Sequence, residues 1–148
     1  MRLRLLKKSD IPAAVAIIRQ NFSREFARRA RRELADMFGS AAIKPIYIVA
    51  EEAGQIVGLV AYMQSWMDYD VYEIFWVNVH PSYLKRSIGK RLVQAAIRQI
   101  KKQRGAALIL LTARAVAGLP VFYQKQFGFK TVQKFSNRKY HLMAASVF

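Results

Sequence analysis

Nine residues, VYEIFWVNV from Val71 to Val79, constrain this chain more than any others, because apolar side chains occupy both odd and even positions. Successive side chains of an extended backbone point to opposite faces, so a strand of this composition needs apolar cover on both. Pro81 cannot donate to a ladder and ends the run. Beyond it Leu92, Ala96 and Ile100 recur every fourth position from Ile88, with Val93 and Ile97 beside them, the period of an amphipathic helix ending near Gly105. A two-faced strand feeding into such a helix calls for a layered α/β arrangement.

The remaining segments fit that frame. RLRLL, Arg2 to Leu6, alternates as a strand does, and SDIPAAVAIIRQNF follows as a helix with Ser9 or Asp10 as N-cap and Pro12 in its first turn. SREFARRARRELADMF reads as a second amphipathic helix ending near Gly39. Phe26, Ala30, Leu34 and Met37 or Phe38 form its apolar stripe, and Arg24, Arg28, Arg29, Arg31 and Arg32 carry its charge. IYIVAE and QIVGLVAYMQ are strands joined by a hairpin connection at Glu52, Ala53 and Gly54. ALILLT is a further buried strand, and a helix carrying Phe122 and Tyr123 follows it. FKTVQKF, a polar turn at SNRK and the strand YHLMAASV come last. The expected order is β-α-α-β-β-β-α-β-α-β-β with no repeat or linker, an α/β fold (α+β mixed sheet) in a single domain over residues 1–148.

Charge raises the question of partners. Lys and Arg number 25 against 9 Asp and Glu, a formal net charge of +16, yet 53% of the residues are apolar, so the charge belongs to a folded surface rather than to a disordered polyelectrolyte. The absence of cysteine excludes disulfides, thiolate zinc sites and a cysteine nucleophile. MRLRLLKK is followed by an apolar run that comes after Asp10 and contains Pro12, which makes a poor signal peptide. The longest uncharged run, Ala53 to Met67, is shorter than the ~18 residues a spanning helix needs. A cytoplasmic protein with no membrane partner is the expectation.

SYLKRSIGKRLV, Ser82 to Val93, admits two readings on its own letters. A helix beginning just after Ser87 points unpaired backbone N–H groups, and the positive end of its dipole, into the turn Leu84 to Gly89, where an anion would bind. Equally, eight Lys or Arg with no acid between Tyr83 and Arg104 describe a solvated basic helix.

In order and spacing, EIFWVNVHP, SYLKRSIGKRLV, LILLT and VFYQKQFGFK together resemble the GNAT superfamily of N-acetyltransferases. The family's phosphate-loop pattern, Gln or Arg, two residues, Gly, one residue, Gly or Ala, falls on Leu84, Ser87 and Gly89. Its later Phe-Tyr and Gly-Phe signature falls on Phe122, Tyr123, Gly128 and Phe129. RLRLLKKSDIPAAVAII is similar to the family's first strand and helix, so nearly the whole chain is covered. Leu84 and Ser87 depart from the pattern, replacing a polar residue and a glycine, so this loop holds its anion with altered backbone geometry or with more help from cations. The resemblance implies transfer of an acetyl group from acetyl-CoA to a primary amine by direct attack, on a sheet whose strands Val71 to Val79 and Ala107 to Thr112 splay apart. It implies a pantetheine arm that pairs with the backbone of Val77, Asn78 and Val79 as an added strand. The pyrophosphate then rests on Lys85, Arg86, Ser87, Ile88, Gly89 and Lys90, and this context favours the cradle over the bare basic helix.

An alkylamine is protonated near neutral pH and must lose a proton before it attacks, so a carboxylate within reach is useful. Glu73 lies where several family members carry a glutamate base, and its other reading is a strand-end acid exposed to solvent or paired with an arginine. Tyr123 matches the family's usual acid for the departing thiolate, against a packing role beside Phe122 and Phe127. A backbone N–H near Val79 is expected to face the charge that develops on the carbonyl oxygen. Asp68, Asp70 and Glu73 concentrate three of the nine acids within six residues, either drawing a cationic acceptor or capping the turn into the strand. Trp66, Tyr69 and Tyr72 wall an acceptor pocket or pack on the sheet. His80 and His141 have no third ligand in sight and read as structural, with no metal site.

A second reading is a nucleic-acid- or ribosome-associated binding module carried by the arginines from Arg24 to Arg32, and it ranks behind the enzyme. The two are compatible where the amine belongs to a nucleic-acid-associated protein. A third reading is a CoA-binding regulator without activity, against which Glu73 and Tyr123 both stand. The resemblance admits a homodimer, and the fold does not specify the acceptor amine.

Overall fold

The computed structural model of the chain describes residues 1–116, 118–135 and 139–147. Its elements are β1 (Arg2–Leu5), α1 (Ile11–Asn21), α2 (Arg24–Asp36), β2 (Ile46–Glu52), β3 (Gln55–Gln64), β4 (Val71–Val79), α3 (Ile88–Lys101), β5 (Leu108–Arg114), α4 (Leu119–Phe127), β6 (Lys130–Phe135) and β7 (Tyr140–Ser146). This is the order read from the sequence. Three of the four residues of the expected SNRK turn, Ser136 to Arg138, lie outside the described residues.

The seven strands form one mixed sheet in the order β1-β2-β3-β4-β5-β7-β6, which puts β4 at the centre, as its two apolar faces demand. β4 and β5 are parallel because α3 carries the chain from one to the other, and the other neighbouring pairs are antiparallel. Alternation along β2 and β3 sends Ile48 and Val60 to one face and Val49 and Leu59 to the other. On the first face they pack with Leu92 and Ile100 of α3, Tyr123 of α4 and Phe129. On the second they pack with Ile17 and Ile18 of α1 and Ala30 and Leu34 of α2. The sheet therefore separates two cores.

Local chemistry explains the boundaries. The β2–β3 hairpin turns through Ala53 and Gly54, at φ 52 and 77, the pair of left-handed residues that a tight two-residue turn needs. Ser23 caps α2, its hydroxyl accepting from the Phe26 N–H. Asp10 holds the expected N-cap position of α1, but its side chain makes no capping bond to that helix: its carboxylate accepts from the Lys7 N–H at 2.7 Å and from both ends of the Arg4 guanidinium at 2.7 and 3.1 Å, closing a single 3-10 turn ahead of α1. α2 ends at Asp36, before Gly39, and buries Ala27, Ala30 and Leu34. Phe26, placed in the apolar stripe by periodicity, stays 36% exposed because its ring turns instead toward Phe22, at a tilt, and Trp76, edge to face. No helix among the described residues is long and apolar enough to cross a membrane.

Candidate active site

β4 and β5 share three paired positions, Val71 with Leu108, Tyr72 with Ile109 and Glu73 with Leu110, although the strands run on to Val79 and Arg114. From Ile74 onward the β5-facing edge of β4 has no strand partner among the described residues, and a wedge opens toward the C-terminal ends of both strands. A bulge bends β4 here. Its register with β3 jumps from Phe75 opposite Ala61 to Asn78 opposite Leu59, leaving Trp76 and Val77 to face Val60 alone. Trp76 sits at φ 50, a left-handed value that a bulky side chain adopts only under constraint. The constraint is visible: the indole N–H donates to the Glu33 carboxylate on α2, and Phe22 and Phe26 meet the ring edge-on at 5.9 and 6.3 Å.

Past the bulge, the His80 N–H donates to the Val57 carbonyl at 2.8 Å. By alternation, the N–H and C=O of Val79 turn away from β3 toward the wedge. Asn21 Nδ2 takes that carbonyl at 3.0 Å and also donates to Asn78 Oδ1 at 3.0 Å. Asn78 is only 3% exposed, and its own Nδ2 is sealed from solvent without an acceptor.

The chain then makes one 3-10 turn at Pro81–Tyr83, with His80 Nδ1 accepting from the Ser82 N–H at 3.1 Å, and enters the loop before α3. Lys85 and Ser87 lie at φ 63 and 60, with Arg86 between them outside the left-handed region. Alternation of this kind turns successive N–H groups into one concavity. Among the described residues none of the N–H groups from Leu84 to Lys90 has an acceptor, and the first to find one is Arg91, bonded to the Ser87 carbonyl at 3.1 Å. Ser87 occupies the position where the family pattern has glycine, and its left-handed backbone gives the reason for that preference. Gly89 works otherwise: a Cβ there meets only Val79 Cγ2, at an ordinary 3.6 Å, so glycine leaves open space beside the strand end rather than relieving a clash.

Arg86 is engaged elsewhere. Its guanidinium grips both oxygens of Glu52 at 2.8 and 3.0 Å and lies 5.1 Å over the Tyr83 ring. Lys85, Lys90 and Arg91 form no ion pair among the described residues, so they are the cations available to the loop.

Glu73 occupies the last paired position before the wedge, half-buried between Met63 and Leu110 and without an arginine partner among the described residues. Alternation places it with Phe75 on the α1–α2 face, opposite Tyr72 and Ile74. Tyr123 belongs to the α3–α4 face. Phe122, Phe129 and Phe127 surround its ring at 5.3, 6.0 and 6.1 Å, and burial pushes its phenol up to about 12, so the group keeps its proton throughout the neutral range. The Tyr123 hydroxyl forms no hydrogen bond within the described chain, yet it is not among the polar atoms sealed from solvent. The two side chains thus flank the sheet from opposite faces.

The acids beside Glu73 in sequence go elsewhere. The β3–β4 loop sits at the N-terminal end of β4, where β4 and β5 are still paired, at the far end from the wedge. There Asp68 Oδ1 accepts from the Asp70 N–H at 2.8 Å and the Asp70 carbonyl accepts from the Ala107 N–H at 2.8 Å, so these residues serve the turn. Trp66 and Tyr69 project from the same loop, 65% and 68% exposed, and Tyr72 is buried against α3. They do not wall the wedge. His141 Nδ1 lies 3.1 Å from the Thr131 hydroxyl.

Sequence reasoning missed Asn21, Phe22, Glu33, Trp76 and Arg114, which gather on the α1–α2 side of the wedge. Arg114, at the end of β5, reaches across to lie 4.5 Å over the Phe22 ring. The only local signal among them is a cation ending an apolar strand.

The architecture has close counterparts among solved structures. A protein assigned to the GNAT acetyltransferases from Desulfovibrio desulfuricans superposes with a TM-score of 0.84 at 16% identity, over 99% of both chains. An aminoglycoside 6'-N-acetyltransferase complexed with coenzyme A gives 0.79 at 17% identity, over 100% of this chain and 98% of that one. The ribosomal-protein-S18-alanine N-acetyltransferase of Escherichia coli gives 0.75 at 17% identity, over 99% and 93%. No curated protein sequence matches the chain. At these identities the likeness is one of fold, but the model of the acetyltransferase (GNAT) family also matches the sequence over residues 11–129, from α1 through α4 to Phe129, and the chain belongs to that family.

Proposed function

We propose that the protein is an acetyl-CoA-dependent N-acetyltransferase acting on a primary amine by direct attack. One observation carries this reading: the unpaired N–H groups from Leu84 to Lys90 lie at the end of the unpartnered edge of β4. An anion site continuous with a free strand edge suits a pyrophosphate followed by an amide-bearing arm. Lys85 and Lys90 add charge, and Ser87, Ile88 and Gly89 add backbone donors. Val77 and Val79 offer main-chain groups along the free edge of β4. Arg86 contributes only when Glu52 releases it. The coenzyme A held by the aminoglycoside enzyme of the same fold supports this assignment.

Bound acetyl-CoA supplies an activated thioester, and the chain manages protons and charge around it. Glu73 takes a proton from the incoming ammonium on the α1–α2 face, directly or through one water. The Val79 N–H, turned into the wedge, faces the oxygen on which negative charge develops. Tyr123 holds its proton at about 12. An ordinary thiol titrates near ~8.5, so complete transfer from this phenol to the departing sulfur runs uphill by roughly 3.5 pH units. Tyr123 therefore acts as a hydrogen-bond donor to the sulfur, and water completes its protonation.

Titration calorimetry should show about one acetyl-CoA per chain, with affinity falling as salt rises. Absence of binding at low salt overturns the reading. A panel containing an alkyl diamine, an aminoglycoside and an alanine-initiated peptide, scored by acetyl-CoA-dependent thiol release, identifies the amine class.

A further inference from the structure

We infer that the exposed flank of α2, with the adjoining part of α1, is a docking surface for a nucleic-acid duplex held through its phosphates. At 100° per residue, α2 divides into three sides. Ala27, Ala30 and Leu34 face the core, Phe26 and Glu33 turn to Trp76, and Arg24, Arg28, Arg31 and Arg32 occupy the remaining flank, all exposed. Arg31 meets Arg19 of α1 along a groove of about 550 Å³ that also includes Pro12, Val15 and Ala16. Arg29 stands apart from this group, its guanidinium 5.5 Å over the Phe26 ring.

Among the described residues none of these six arginines pairs with a carboxylate, although Asp36 lies four positions after Arg32. Like charges spaced three and four apart repel along a helix, and the Glu25 and Asp36 carboxylates beside this flank close no ion pair with it among the described residues, so the arginines keep an unneutralised repulsion. An external polyanion offsets it. Every cation of the patch is a guanidinium, whose planar fork matches two oxygens of one phosphate. From Arg24 to Arg32 the helix advances ~12 Å. A duplex presents a charge every ~1.7 Å, roughly seven over that length, whereas a free phosphate satisfies a single arginine. The flank carries no aromatic side chain, so it has no platform on which unpaired bases could stack, and the duplex backbone is the occupant it suits.

The test is fluorescence anisotropy of 20-base-pair RNA and DNA duplexes across a salt series, with single-stranded RNA and polyglutamate as competing probes. Wild type should bind both duplexes near physiological salt, with the logarithm of affinity falling by about 4 per decade of salt. Arg24→Gln, Arg28→Gln, Arg31→Gln and Arg32→Gln combined should reduce that slope by about 3.5 and weaken binding at least tenfold, with melting temperature and acetyl-CoA affinity unchanged. Lys85→Glu should do the reverse, weakening acetyl-CoA and sparing the duplex. If the fourfold variant misfolds, Arg28→Gln with Arg32→Gln should remove about 2 from the slope. Unchanged duplex binding in these variants, tighter binding of single strands or polyglutamate, or loss of wild-type binding by physiological salt each overturns the proposal. Acetyl-CoA affinity is read separately, so failure here leaves the acetyltransferase reading untouched, and the converse holds.

Discussion

Removing the Glu33 carboxylate should loosen the bend in β4 on which the wedge depends. Trp76 at φ 50 stores on the order of 1–3 kcal/mol of backbone strain. Opposing it are a hydrogen bond from the indole to a charged acceptor, ~1.5–3 kcal/mol, and two edge-on ring contacts of ~0.5–1.5 kcal/mol each. The hydrogen bond is thus comparable with the strain, and Glu33→Ala removes it while leaving both rings in place. Trp76 and Glu33 are both half-buried, so water recovers part of the loss. A destabilisation of ~1–2 kcal/mol is expected, which for a chain of this length is about 2–8 °C in melting temperature. Glu33→Gln keeps an acceptor oxygen without the charge and should lose about half as much. Hydrogen exchange of the amides from Phe75 to Val79 should quicken in the same order, and acetyl-CoA affinity should fall in the same order. A Glu33→Ala protein that melts within about 1 °C of wild type contradicts the energetics. One that melts lower but binds acetyl-CoA unchanged shows that Glu33 steadies the fold without holding the wedge.

Three further outcomes follow from the same geometry. Tyr123→Phe should lower turnover by roughly tenfold or more with melting and acetyl-CoA affinity nearly unchanged, since the hydroxyl has no hydrogen-bond partner in the described chain to orphan; a lower melting point with turnover preserved removes Tyr123 from the chemistry. Ser87→Gly should relieve a left-handed conformation worth ~1 kcal/mol, largely balanced by the freer unfolded chain, so stability should shift by under about 1 kcal/mol and acetyl-CoA should bind as tightly or better; a threefold weakening contradicts the backbone argument. The Arg4 guanidinium holds the carboxyls of Asp10 and Glu51 below their ordinary range. A folded-state value below the unfolded one means stability that is present above about pH 4.5 and lost as pH falls through the folded values. Melting temperature should therefore drop between pH 5 and pH 2 more steeply in wild type than in Arg4→Met, and equal slopes contradict it.

Much of this architecture can be read from short windows of sequence, because side-chain period reports which face is covered without naming what covers it. The apolar letters of VYEIFWVNV on both faces place β4 between two layers, and the four-residue recurrence after Ile88 marks the helix that returns the chain to a parallel neighbour. Ala53 and Gly54 mark their turn, and Ser87 with Gly89, then Phe122, Tyr123, Gly128 and Phe129, mark the family. Where these windows misled, a partner outside the helix had overridden local preference: Phe26 left the helix stripe for Trp76, and Asp10, though it holds the N-cap of α1, turns its carboxylate to Arg4 rather than to the helix N–H groups.

What the tertiary structure alone decided are relations between segments far apart in the chain. The wedge depends on one extra residue of β4 against β3, and the Trp76 bond that accompanies it joins positions 43 apart. Lys85 and Arg86 are adjacent letters of the same charge, yet among the described residues one has no ion pair and the other is held by Glu52, 34 positions away. Asp68 and Asp70 stand beside Glu73 in sequence but at the closed end of the sheet, because a strand carries its residues steadily away from the loop that starts it. Five arginines crowd the run from Arg24 to Arg32, and helical geometry sends Arg29 to Phe26, puts the other four on one exposed flank and brings Arg31 beside Arg19. Period and turn chemistry are properties of neighbours along the backbone, whereas the pairing of a charge, the bend of a strand and the opening between two strands depend on which distant segments the fold brings into contact.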